Sequence, residues 1–129
     1  MDTKDKQELL YYYSTFTKKD LLKKCNSIIE FSSSREDKEE IDFLAKALIL
    51  PLKKEDVYRY YIKTLIAWYC FIHIYSEKED YELCNIVNKC IQIENEEMED
   101  VLKTVFSFTK NDVISLKYIN DTYKKEFVC

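Results

Sequence analysis

Apolar residues recur along this chain at helical rather than strand spacing. Leu9, Tyr13 and Phe16 stand at i, i+4 and i+7, which predicts a first helix over 4–16. A second starts at Thr17, which forms a box-like N-cap with Asp20 in place of the usual Glu. It carries Leu21, Leu22, Cys25, Ile28 and Ile29 on one face and ends at Ser32-Ser33-Ser34. Ser34 with Asp37 repeats the cap. The third helix buries Ile41, Leu44, Ala45 and Leu48, and ends before Pro51 because proline disfavours helical backbone in the residue before it.

A fourth helix starts near Lys53 with Val57, Tyr58, Tyr61, Ile62, Leu65 and Ile66 in phase. It continues into an apolar run over 65–75, with a break expected near Trp68–Phe71. A helix that is apolar all round belongs in the middle of a bundle. Tyr81, Cys84, Val87 and Ile91 predict a fifth helix. Met98, Val101, Leu102, Val105 and Phe106 predict a sixth, with Asn95, Glu96 and Glu97 at its start. Thr109 and Asp112 cap the last, whose face is Leu116, Ile119, Tyr123 and Phe127, with Lys124 and Lys125 near its end.

The expected architecture is all-α: a compact bundle of six to seven helices around a central apolar helix, in one domain over 1–129. Nothing in the pattern reads as a hairpin, a linker or a repeat. The 129 residues suffice for a core without staples. The apolar run over 65–75 is far shorter than the ~20 residues of a membrane span.

Composition narrows the function classes. The chain has no glycine and one proline, Pro51. Without glycine there is no P-loop, dinucleotide fingerprint or nucleophile elbow, and tight left-handed turns are not expected. Gly, Ala, Arg and Pro together number six, while Lys, Ile, Asn, Tyr and Phe abound. That usage points to AT-rich coding, as in several large DNA viruses and some parasites. The net charge of −4 argues against nucleic acid as a partner. The five cysteines (Cys25, Cys70, Cys84, Cys90, Cys129) are odd in number and form no C-x-x-C. A reducing, cytoplasmic setting is the simpler reading.

Candidate chemistry is sparse. His73 is the one histidine and lies near Cys70, but both fall in the most apolar stretch, where burial raises a thiol's pKa instead of activating it. A structural role is expected for both. Cys84 and Cys90 are six apart, on different sides of a helix, and do not make a zinc site. The acids Glu94, Glu96, Glu97, Glu99 and Asp100 lack the alternation of a calcium loop and read as a solvated helix start. No catalytic residue, metal or cofactor is expected.

Two surface features remain. Tyr13, Tyr58 and Tyr61 are in phase with apolar faces, whereas Tyr11, Tyr12 and Tyr60 are not; coding bias and an interface role both account for these three. Lys18, Lys19, Lys23 and Lys24 bracket Leu21-Leu22, forming either a solvated face or a basic docking patch. Glu36, Asp37, Glu39, Glu40 and Asp42 offer the opposite sign, and opposed faces allow head-to-tail docking.

The stretch from Leu9-Leu10 through Tyr13 and Phe16-Thr17-Lys18-Lys19-Asp20-Leu21-Leu22-Lys23-Lys24-Cys25 resembles the first two helices of a pyrin domain. Ile41-Asp42-Phe43-Leu44-Ala45-Lys46-Ala47-Leu48-Ile49 is similar to that family's later segment, and Val57 to Leu65 to its fifth helix. The likeness covers residues 5–80; 81–129 would be additional helices. It implies a non-enzymatic death-fold protein of the poxviral pyrin-only type, which blocks inflammasome assembly in the host cytoplasm by homotypic docking on a pyrin-domain adaptor. Lys18, Lys19, Lys23 and Lys24 would then form the basic face, and Glu39, Glu40 and Asp42 the acidic one. The helices around an apolar centre also look like a poxviral Bcl-like protein, which implies an inhibitor of apoptosis or NF-κB signalling that binds a BH3 helix or a pathway component. A helical structural subunit without a signalling role is a third reading.

Overall fold

The computed structural model describes residues 2–33, 53–105 and 109–128. They form an all-α fold of five helices, with no strand among the described residues. These are α1 (Thr3–Ser14), α2 (Lys18–Ser33), α3 (Lys54–Glu77), α4 (Tyr81–Val105) and α5 (Lys110–Phe127). The expected third helix, with the Ser34/Asp37 cap, Pro51 and the acids Glu39, Glu40 and Asp42, lies outside the described residues, as does Phe106.

The other helix starts follow the cap chemistry. Asp2 caps α1 by accepting from the Lys4 N–H at 3.3 Å. Thr17 Oγ1 accepts from the Asp20 N–H at 3.2 Å. At α5 the box is reciprocal: Thr109 Oγ1 accepts from the Asp112 N–H at 3.3 Å, and Asp112 Oδ2 from the Thr109 N–H at 2.9 Å.

α3 is one uninterrupted helix, so the break expected near Trp68–Phe71 is absent. No proline or glycine interrupts it, and its apolar residues find neighbours on every side. It packs against α1, α4 and α5, while α2 lies on α4. Val57, Tyr61, Leu65, Trp68, Ile72 and Tyr75 make one buried stripe, and Tyr69, Cys70 and Phe71 fill the remaining directions.

The expected fifth and sixth helices are also one, α4. The acids from Glu94 to Asp100 lie inside it and start nothing. Glutamate is a good helix former in mid-helix, and the buried stripe of Leu83, Val87, Cys90, Ile91, Met98 and Leu102 passes straight through.

The link between α3 and α4 supplies a left-handed turn that the lack of glycine had argued against. Glu79 takes φ 57°. The Asp80 N–H returns to the Tyr75 carbonyl at 2.9 Å and the Glu79 N–H to the Ser76 carbonyl at 3.0 Å. This is a Schellman stop with glutamate in the position glycine usually holds. Asp80 then caps α4 by accepting from the Leu83 N–H at 3.3 Å.

Five polar contacts from α3 fix its neighbours. Tyr58 Oη donates to Asp112 Oδ1 at 3.3 Å, and Lys54 pairs with the same carboxylate. Tyr61 Oη donates to Asn95 Oδ1 on α4. Tyr69 Oη donates to Asn120 Oδ1 on α5 at 2.5 Å. His73 Nδ1–H donates to the Phe127 carbonyl at 2.7 Å, which ties down the end of α5.

Candidate functional site

Along α3, Tyr60, Lys63, Thr64, Ala67, Trp68 and Phe71 stand at i, i+3, i+4, i+7, i+8 and i+11, and so share one face. The two small residues, Thr64 and Ala67, sit between the rings of Tyr60, Trp68 and Phe71. That alternation hollows the face. The N-terminal half of the molecule walls the hollow: Tyr12, Tyr13 and Phe16 from α1 and its end, and Asp20, Leu21 and Lys24 from α2. Glu94 of α4 reaches the same space. The result is an open groove of about 430 Å³.

Its walls are largely aromatic and interlocked. Tyr13 meets Phe71 edge-on with centroids 5.3 Å apart, Phe16 lies 5.9 Å from Phe71, and Trp68 lies 6.4 Å from Phe71. These separations are typical of favourable aromatic pairs. The rim is exposed: Tyr12 is 56% and Tyr60 71% accessible. Tyr11 is exposed too, but does not line the groove. Two of the three out-of-phase tyrosines, 48 positions apart in sequence, therefore face one hollow.

Charge in the groove is balanced, with Lys24 and Lys63 against Asp20 and Glu94. The Lys24 ammonium lies over the Trp68 ring, 5.5 Å from its centroid. Burial raises the pKa of Glu94; the facing Trp68 indole N–H opposes that shift, Glu97 adds to it, and Lys24 opposes it.

The lysines singled out from the sequence have different fates. Lys18 is paired with Asp80 at 2.6 Å, joining the start of α2 to the cap of α4. The pairing raises the pKa of Lys18 and lowers that of Asp80. Lys19 and Lys23 are exposed on α2, and Lys24 belongs to the groove. A basic face on α2 thus reduces to Lys19 and Lys23.

The four described cysteines act as small core residues. Cys25, Cys70, Cys84 and Cys90 are free and buried. Cys84 Sγ lies 3.6 Å from the Ile72 carbonyl and Cys90 Sγ 3.7 Å from the Cys25 carbonyl. Burial pushes the Cys70 thiol up to about 12, far from a reactive thiolate. Among the described residues no cluster of three His, Cys, Asp or Glu side chains could hold a metal, and no helix is long and apolar enough to cross a membrane.

Reading the sequence missed Thr64, Ala67, Trp68 and Glu94 as site residues. The available signal was the pair of small residues among large aromatics at helical spacing on α3. Glu94 carried none, because its position depends on α4 being continuous. Comparison with protein-family models, curated proteins and solved structures finds no match for this chain.

Proposed function

We propose that this protein is a non-enzymatic interaction module that takes an amphipathic helix of a host signalling protein into the groove beside α3. This is the working mode of the Bcl-like reading, in which a BH3-type helix lays its apolar face into a hollow alongside a central helix. The observation that carries it is the convergence of Tyr12, Phe16 and Tyr60 with Trp68 and Phe71 around Thr64 and Ala67. The rim tyrosines lie outside the buried core, and aromatic rings are the usual anchors of binding energy at interfaces. The uninterrupted α3, with three helices packed against it, supports the same reading.

Homotypic docking of the pyrin type stands second, supported by the exposure of Lys19 and Lys23. Calorimetric titration separates the two. Ala67→Glu places a charge in the hollow and removes binding of a BH3-type peptide under the first reading. The double variant Lys19→Glu/Lys23→Glu removes binding of a pyrin-domain adaptor under the second. A peptide that binds wild type and Ala67→Glu equally well contradicts the groove reading.

A further inference from the structure

Two thiols meet where α2 packs on α4. Cys25 and Cys90 are both fully buried. The Cys90 Sγ lies 3.7 Å from the Cys25 carbonyl, across 65 positions of sequence. It is also in hydrogen-bonding contact with the Cys25 sulfur. Side-chain rotation and a slight approach of the helices separate this contact from an S–S bond of about 2 Å.

The other described cysteines stand differently. The Cys84 thiol turns to the Ile72 carbonyl at 3.6 Å, and burial raises the pKa of Cys84 and of Cys70. Among the described cysteines Cys25 alone is lowered. The Cys90 S–H lowers it, burial opposes, Lys24 lowers it further and Glu94 opposes. Cys90 is raised in turn. The more acidic thiol is the attacking one, because the thiolate is the nucleophile.

We propose that Cys25 and Cys90 are an oxidation site, at which a small peroxide closes a disulfide between α2 and α4. Cys25 sulfur attacks one peroxide oxygen. The O–O bond breaks, and the leaving hydroxide takes the Cys25 proton as water. Cys25 is left as sulfenic acid. Cys90 sulfur then attacks Cys25 sulfur, an S–S bond forms, the S–O bond breaks, and the hydroxyl leaves with the Cys90 proton as a second water. Two thiols are oxidised and one hydrogen peroxide is reduced to two waters. Burial selects the oxidant: hydrogen peroxide is little larger than water, whereas a peptide disulfide such as oxidised glutathione does not reach a fully buried sulfur. Burial also keeps the sulfenic acid beside Cys90 and away from a second peroxide. Lys24 precedes Cys25, and Glu94 stands one turn beyond Cys90, so the bridge fastens α2 to α4 beside the groove.

The test treats the folded full chain with hydrogen peroxide, unfolds it in an alkylating agent, and digests it after lysine and arginine without reduction. That cleavage puts the five cysteines in five different peptides, Cys25 in 25–35 and Cys90 in 90–103. Mass spectrometry is expected to find these two peptides joined, lighter by two hydrogens than their sum, with Cys70 and Cys84 alkylated. Reduction returns them to separate masses. In Cys90→Ser the resolving thiol is gone, and a dimedone probe is expected to label Cys25. The joined peptides are read on wild type, so the proposal is tested even if that variant folds poorly. Closure at the same rate by oxidised glutathione overturns the peroxide assignment. A bridge between other cysteines, Cys25 carried on to sulfinic acid in wild type, or both peptides alkylated after peroxide treatment overturns the site.

Discussion

The Lys24 ammonium lies over the Trp68 ring, 5.5 Å from its centroid, so a surface lysine of α2 covers the indole that floors the groove on α3. Such a contact contributes about 0.5–1 kcal/mol where the cation is exposed. Lys24→Met keeps the aliphatic stem and removes the charge. It is expected to lower stability by about that amount and to change the emission of Trp68. Chemical unfolding and fluorescence check both, and unchanged emission would mean that the lysine does not cover the ring in solution.

Glu79 holds a left-handed conformation where glycine is the natural occupant. A residue with a Cβ pays roughly 1–2 kcal/mol there. Glu79→Gly is expected to raise stability by about 1 kcal/mol, against the usual cost of adding a glycine. Urea unfolding measures it, and a loss of stability contradicts the Schellman geometry.

Asp112 joins the start of α5 to the start of α3. Its pKa falls from the usual 3.8 to about 2, chiefly through Lys54, then through the backbone of Thr109. A depressed carboxylate stabilises the fold fully above its unfolded pKa and loses that contribution as pH falls through the folded value. The contribution is therefore complete above about pH 4 and disappears towards pH 2. Asp112→Asn is expected to flatten the stability curve between pH 4 and pH 2. Asp112→Ala also removes the reciprocal half of the capping box and is expected to cost about 2 kcal/mol at neutral pH. A variant that keeps the wild-type acid slope contradicts this assignment.

Tyr60 and Tyr61 are neighbours with opposite fates. Tyr60 is 71% exposed and Tyr61 3%. Tyr60→Ala is expected to leave stability within about 0.5 kcal/mol, whereas Tyr61→Phe strands the Asn95 acceptor and costs about 1–2 kcal/mol. Equal losses at the two sites would place Tyr60 in the core and remove it from the groove rim.

Much of the fold was legible because local rules and tertiary packing agree. Leu21 with Cys25 and Tyr61 with Leu65 fall on buried faces as their spacing requires, and the caps at Thr17 and Thr109 are formed. Errors arose where a local signal has two readings. An acidic run suits a helix start and a solvated helix middle equally, and only the stripe through Cys90 and Met98 decides for α4. The Glu79 turn left no sign, because glutamate is not the residue such a turn selects. The site was legible only as parts: Tyr12 and Tyr60 were out of phase, but their meeting around Ala67 is a product of packing. Lys18 was read with its sequence neighbours, and its partner Asp80 lies 62 positions away.

The central claim is that the α3 face is the working surface. Amide chemical-shift mapping of the full chain, titrated with a BH3-type helical peptide, tests it most directly. The account predicts shifts concentrated at Tyr60, Thr64, Ala67 and Trp68 on α3 and at Tyr12 and Phe16 opposite. Shifts centred on Lys19 and Lys23, with the α3 face unmoved, would contradict it.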